Sequence, residues 1–227
     1  MTNILKIQHL NYSIPYSVTL LEDVSFELQS GEFLGILGHN GAGKTTLMDL
    51  LMGYRNKTSG VLEVFGENPH DIERQNRNKI VFLSQEVSLK GNLTIGDFLK
   101  FHASFFSDYD LNEQLHLMQV FNLKLNMKIG SLSTGQQKKV QVVAGLSSKP
   151  KLILIDEITA VMDPETRSIF FIEIERVREE GVAVILATNI AEDLVERCDR
   201  ILFIADKKSS IHRPQEISAL FNLKKAA

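Results

Sequence analysis

One eight-residue segment constrains this chain more than any other. Gly38-His39-Asn40-Gly41-Ala42-Gly43-Lys44-Thr45 fits the pattern G-x-x-x-x-G-K-[ST]. It follows the apolar run Phe33–Leu37, which reads as a buried strand, and precedes a helical run over 46–52. Strand, glycine-rich turn and helix in that order form the setting such a loop requires. The glycines let successive backbone N–H groups turn inward around phosphate oxygens, and the helix N-terminus adds its partial positive charge. In this arrangement Lys44 reaches the β- and γ-phosphates of a nucleotide and Thr45 ligates Mg²⁺. Thr46 is placed to bond a phosphate through its backbone or its hydroxyl.

A second segment supplies the acids. Lys151-Leu152-Ile153-Leu154-Ile155-Asp156-Glu157 is an apolar strand ending in two carboxylates. Asp156 at the strand's C-terminal end is placed to hold Mg²⁺ through water. By strand alternation Glu157 points the other way, where it can orient or deprotonate an attacking water. Many strands end in Asp-Glu, so this pattern acquires meaning only beside the phosphate loop.

The remaining pattern is α/β. Strand signals fall at residues 5–9, 24–28, 33–37, 61–65, 80–84, 152–155, 182–187 and 201–204, most of them rich in Ile, Val, Leu and Phe. Short turns separate the early ones, as at Ser30-Gly31, which predicts antiparallel strands near the N-terminus. The later ones follow helices, which predicts a parallel sheet. Between about 88 and 148 the strand signal fades, and 98–106, 111–121 and 135–146 read as helices inserted into the core. Asp163 is a helix N-cap, with Pro164 at the first helical position and Phe170, Ile174 and Val177 on one apolar face. Residues 207–227 read as a polar, solvated tail with one short helix.

Composition limits the partners. The 227 residues are 44% hydrophobic and 23% charged, an ordinary globular balance. A net charge of −3 does not indicate a nucleic-acid binder. The single cysteine, Cys198, excludes an internal disulfide and any multi-cysteine metal site, and reads as a small core residue. Residues 1–10 lack the apolar core of a secretory signal, and 182–187 is far shorter than the roughly 18 residues that span a bilayer. The expectation is a single soluble, cytoplasmic domain over 1–227 that any membrane partner must recruit.

Many nucleotide-binding proteins share the loop and the acid strand. Leu132-Ser133-Thr134-Gly135-Gln136 separates them. It opens a helix and lies 23 residues before Asp156, counted from Ser133. Here the chain resembles the ATP-binding cassette (ABC) family, whose signature is usually Leu-Ser-Gly-Gly-Gln, so Thr134 departs at the middle position. Gln85 matches the family's Q-loop glutamine, and Asp163, in Ala160-Val161-Met162-Asp163-Pro164, matches its D-loop. The resemblance covers about residues 5–204.

That resemblance implies a P-loop NTPase core of ABC type, with an N-terminal antiparallel β subdomain and an inserted α-helical subdomain. It implies ATP and Mg²⁺ as cofactors and a head-to-tail dimer, of like or unlike chains, with two nucleotides at the interface. Ser133, Gly135, Gln136 and Asp163 would face the nucleotide bound by Gly38, His39, Asn40, Gly41, Ala42, Gly43, Lys44, Thr45 and Thr46 of the second chain. Gln85 would sense Mg²⁺ and the γ-phosphate. Thr45, Gln85 and Asp156 form the metal set, and Glu157, Asn189 and Gln85 the catalytic set. The helical insertion would dock a transmembrane permease subunit. The stretches around 105–110 and Asp163-Pro164-Glu165-Thr166-Arg167, with the short spacing to Leu132, look most like the drug- and polysaccharide-exporter branch, which keeps ATPase and permease on separate chains.

The departures define the open readings. Where the family places a histidine after 182–187, this chain has Asn189. Asparagine donates a hydrogen bond but carries no positive charge. Losing one charge-stabilising contact to a transition state typically costs ~2.7–4 kcal/mol, or about 10²–10³ in rate. A tuned ATPase, a degenerate subunit completed by a partner chain, and a binding-only switch all fit; so does a non-transport ABC ATPase with a soluble partner. Ile158 replaces the usual proline after Asp-Glu, and Met162 the usual leucine. Alignment puts Ile14 at the adenine-stacking position, flanked by Tyr12 and Tyr16. Tyr16 is placed to stack, while Tyr12 reads equally as core.

Overall fold

The computed structural model describes residues 2–16, 18–86, 89 and 91–217. The chain begins β1 (Asn3–Ser13), β2 (Thr19–Gln29), β3 (Phe33–Leu37), α1 (Lys44–Leu51), β4 (Ser59–Val64), α2 (Arg74–Arg77) and β5 (Ile80–Ser84). It continues α3 (Ile95–Ala103), α4 (Leu111–Val120), α5 (Thr134–Ser147), β6 (Leu152–Asp156) and α6 (Pro164–Glu179). It closes with β7 (Ala183–Thr188), α7 (Glu192–Val195), β8 (Arg200–Ala205) and β9 (Lys208–His212). These elements divide into two compact units, Met1–Glu73 with Ala183–Ala227, and Arg74–Val182.

The first unit holds an antiparallel sheet of order β2-β1-β4. Its strands bury one face. Leu21, Val24, Phe26 and Leu28 of β2 are buried while Ser25 and Glu27 are exposed, the alternation expected of a sheet wet on one side. The same unit holds β3 paired in parallel with β7 on one side and β8 on the other, with β9 antiparallel on β8. Every residue of β3 and β7 is buried, as parallel strands require. Gly35 allows the close packing: a Cβ there would lie 2.9 Å from Leu194 Cδ2 and 3.0 Å from Cys198 Sγ. Cys198 is accordingly a buried core residue, as expected.

Two expectations change here. The Ser30-Gly31 turn does not fold β3 back onto β2; it passes the chain from the antiparallel sheet into the mixed one. The region from 207 is not all solvated tail. Lys208–His212 forms β9, because its backbone completes the free edge of β8, with Ile201 opposite His212 and Ala205 opposite Lys208. Residues 218–227 of that tail, with the start of the insertion at 88, lie outside the described residues.

The second unit pairs β5 with β6 in parallel, from Ile80 opposite Leu152 to Ser84 opposite Asp156. Helix α5 packs against β5, and α3 and α4 pack against α5. Gly145 brings α5 against β5, since a Cβ there would lie 2.7 Å from Val81 Cγ1. An ionic cluster joins α4 to α6: Glu173 accepts from Arg176 Nε at 2.8 Å and lies 3.2 Å from His116 Nε2, while Arg176 also bonds Glu113. The start of α6 is capped as its sequence predicts, whereas α3 begins at Ile95, three residues before the expected 98, because Thr94 caps it there. Thr94 and Asp97 form a capping box on α3, Asp110 caps α4, and Asp163 caps α6 with Pro164 at the first position.

The α6 cap yields a pH expectation. The Asp163 carboxylate accepts from the Thr166 hydroxyl at 2.6 Å and the Thr166 N–H at 2.9 Å. These bonds hold its carboxyl below the usual aspartate range. The cap's contribution is therefore complete above the ordinary aspartate value and is lost as pH falls through the depressed one. An aspartate-resolved NMR titration should put the Asp163 midpoint below about 3.9; a midpoint above that would contradict the cap. On the same helix Phe170 is 0% exposed and Ile172 63% exposed. In urea unfolding, Phe170→Ala should destabilise by about 3–5 kcal/mol, and Ile172→Ala by less than about 0.5 kcal/mol.

Candidate nucleotide site

The first unit carries the phosphate loop. β3 ends at Leu37, and α1 opens at Lys44 from Gly43, whose φ of 103° and ψ of 9° are left-handed. Gly41 has φ 82°. Such values suit glycine and turn consecutive N–H groups toward one side of the loop. Gly43 stands at the N-cap of α1 and makes no side-chain cap bond, and a helix N-terminus approached through a glycine turn is the usual setting for an anion. Lys44 is buried, and its ammonium donates to the carbonyls of Gly38 at 3.0 Å and His39 at 3.4 Å, so the cation lies folded along the loop. Ala42 N–H closes a turn onto His39 O at 3.1 Å. His39 Nδ1 lies 2.7 Å from Asn40 O, and its ring is exposed.

Asn189 belongs to the same unit. In the β3–β7 register Leu37 lies opposite Thr188. Gly38 and Asn189 therefore leave the C-terminal ends of adjacent parallel strands, the rim where ligands of open α/β sheets bind. The Thr188 hydroxyl accepts the Ile190 N–H at 3.0 Å, turning the chain at once and leaving Asn189 exposed. Of the two tyrosines, Tyr12 is 6% exposed, its hydroxyl taking a bond from Arg55 at 3.2 Å. It is a core residue. Tyr16 is fully exposed.

The second unit carries the acids and the signature. Asp156 is the last, buried residue of β6. Glu157 is not part of the strand, so strand alternation does not orient it, contrary to the sequence expectation. It sits at φ 53°, ψ 14°, a left-handed conformation uncommon for a non-glycine residue; backbone strain of this kind gathers at functional sites. Across the parallel pair, Gln85 N–H donates to Asp156 O at 3.1 Å. The β5–β6 register thus puts the glutamine beside the acid although 71 residues separate them in the chain.

Ser133 and Gln136 cap α5 reciprocally. Ser133 Oγ accepts the Gln136 N–H at 3.2 Å, and Gln136 Oε1 accepts the Ser133 N–H at 2.9 Å. Both residues are exposed or half-exposed, so a cap and an anion-facing surface coexist. Gly135 has room for more: an added Cβ would meet only Val161 O, at 3.5 Å. One residue was missed by sequence reasoning. Lys138 is buried and bonded to backbone at the end of β5, and burial pushes its ammonium below the usual lysine range. Its signal was a lysine at the helical spacing of Val142 and Gly145, inside the apolar stripe of α5.

The donor chemistry suits Mg²⁺ with a nucleotide. Mg²⁺ prefers hard oxygens and is usually held by one or two carboxylates plus substrate phosphates; Thr45 in the first unit and Asp156 in the second each carry an oxygen of that kind. Among the described residues no group of three or more His, Cys, Asp or Glu side chains is arranged to hold a metal by itself. No helix among them is long and apolar enough to cross a membrane.

Known proteins agree with these features. The chain is 32% identical over 202 residues to the ribose import ATP-binding protein RbsA of Bacillus licheniformis, covering 84% of this chain and 41% of that protein. It is 31% identical over 185 residues to the probable multidrug ABC transporter ATP-binding protein YbhF of Escherichia coli, covering 79% of this chain and 32% of that one. The chain thus spans less than half the length of either relative. A solved structure of the ATP binding subunit of an ABC transporter shares the fold, with a TM-score of 0.85 at 23% identity over 97% of this chain and 94% of that one. The family model described as ABC transporter matches residues 21–160. That match takes in the phosphate loop, Gln85, the Leu132–Gln136 segment and both acids, and the chain belongs to the ABC transporter family as one of its ATP-binding, ATP-hydrolysing domains.

Proposed function

We propose that this chain is the ATPase subunit of an ABC exporter, working as a dimer that drives a separate transmembrane permease from the cytoplasmic face of a membrane. The observation that carries the reading is the phosphate loop: left-handed glycines, one of them the N-cap of α1, and a buried Lys44 between one strand and one helix. Backbone N–H groups from Gly38 to Thr46, with Lys44, bind the phosphates of ATP. Thr45, Gln85 and Asp156 hold Mg²⁺, which when bound offsets the negative charge of those phosphates. Glu157 orients or deprotonates the attacking water. Ser133, Gly135, Gln136 and Asp163 serve the nucleotide of a second chain, of like or unlike sequence. Export is supported by the resemblance of 105–110 and 163–167 to the exporter branch and by the multidrug relative; the ribose import relative argues that the same domain also serves uptake.

A second reading has its own observation. Asn189 leaves β7 beside the phosphate loop, where the family carries a histidine. A neutral amide there slows hydrolysis without removing ATP binding.

The steady-state ATPase rate of the purified chain with Mg²⁺ tests both. Glu157→Gln should lower the rate by about 10²–10⁴ while ATP still binds. Lys44→Ala should abolish ATP binding measured with a fluorescent ATP analogue. A wild-type rate equal to that of Glu157→Gln, with ATP bound, would reduce the chain to a binding subunit or a switch. Asn189→His should raise the rate by about 10–10³ with little change in ATP affinity; an unchanged rate would show that Asn189 does not limit turnover. Copurification of a polytopic membrane protein with the chain would support transport, and a wholly soluble complex would overturn it.

A further inference from the structure

The chain leaving β5 is held from two sides. On one side Gln85 N–H donates to Asp156 O of β6 at 3.1 Å. On the other, α5 supplies two consecutive side chains. Lys138 is 1% exposed, and its ammonium donates to the carbonyls of Ser84 at 3.0 Å and Gln85 at 2.8 Å. Gln137 Oε1 accepts the Leu89 N–H at 3.1 Å, while its amide donates to Leu132 O at 3.4 Å. One backbone carbonyl of Gln85 and one N–H four residues later are thus gripped by adjacent residues of one helix.

Burying an ammonium is expensive unless its hydrogen bonds are made. An apolar residue at 138 would fill the α5 stripe without that desolvation, but would leave the Ser84 and Gln85 carbonyls without this donor. The lysine therefore does something that core packing alone does not ask for. Ser133 caps the same helix five residues earlier, and Gln137 reaches back to Leu132 within that turn. A displacement of the Leu132–Gln136 segment carries α5 with it, and through Lys138 and Gln137 it carries the backbone of Gln85 and Leu89.

We propose that Lys138, with Gln137, is a positioning residue for ATP hydrolysis, fixing Gln85 to the helix that presents Ser133 so that the two move as one piece. The proposal rests on the roles assigned above to Gln85 and Ser133. Its ammonium bonds the carbonyls of Ser84 and Gln85, so it acts through the backbone of Gln85.

Hydrogen exchange on the full, nucleotide-free chain tests the clasp apart from activity. Lys138→Met should speed exchange of the Gln85 and Leu89 amides by about tenfold or more, a loss on the scale of one hydrogen bond to a charged group. Ile153 and Ile155 in β6 should keep their wild-type rates. Lys138→Arg, which keeps a cationic donor, should restore slow exchange. Gln137→Leu, at a half-exposed position that tolerates the change, should speed the Leu89 amide alone, and it keeps the test valid if Lys138→Met fails to fold. In the ATPase assay Lys138→Met should lower kcat about tenfold or more and leave the KM for ATP within about twofold, with Lys138→Arg recovering most of the rate. Unchanged exchange at Gln85 and Leu89 would overturn the clasp. Faster exchange with unchanged kcat would overturn its part in hydrolysis, and equal loss of protection across β6 would show a merely structural lysine. If the wild-type chain hydrolyses no ATP, the reading of function fails, while the exchange rates still decide the clasp.

Discussion

The pairing of β3 on both sides, with β7 and β8, is what the phosphate loop depends on. A strand hydrogen-bonded along both edges and buried over its whole length has one register, so the residue at which it ends is fixed. The start of the strand is pinned as well. Phe33 N–H donates to Asp199 Oδ2 at 2.8 Å, and Asp199 N–H returns to Phe33 O at 2.9 Å. Glu32 bonds Arg200 at 2.6 Å beside them. Leu37 is thereby held opposite Thr188, and the loop that follows starts from a rigid edge. A phosphate cradle made of backbone donors needs this, because its groups cannot be re-aimed one at a time as side chains can.

The second unit repeats the principle with a different strand pair. The β5–β6 register sets Ser84 against Asp156, and the next residue of each strand, Gln85 and Glu157, is a candidate for chemistry. Both sit just past regular structure, where the backbone escapes the strand's alternation. Glu157 does so through a left-handed turn and Gln85 through bonds to β6 and α5. Chemically active side chains on strand ends gain freedom of direction while the strand keeps their origin in place.

The exposed signature and the exposed Asn189 are chemically different statements. Ser133 and Gln136 already satisfy each other's backbone donors, so the turn is pre-shaped before any anion arrives. That ordering lowers what binding must supply in conformational entropy. Asn189 is presented beside the loop with a neutral amide, which can donate a bond but cannot follow a growing negative charge with a positive one.

The sequence by itself determined the loop, the acids, the Asp163 cap and the alternating α/β order, because each is local. G-x-x-x-x-G-K-[ST] states its own turn geometry, Asp163-Pro164 its own helix start, and 152–155 its own burial. Only the tertiary structure decided matters that depend on residues far apart. β9 exists because β8 has an edge to complete, although its own residues read as polar tail. The turn at Ser30-Gly31 joins two sheets rather than making a hairpin, since β3 finds better-buried partners in β7 and β8. Glu157 leaves the strand because β6 ends one residue earlier, at its last pairing with β5. Lys138 counts as core because Ser84 and Gln85, more than fifty residues before it, offer carbonyls to its ammonium. A partner at such sequence distance leaves no mark on local pattern, so a buried cation and its purpose emerge only when the chain is folded.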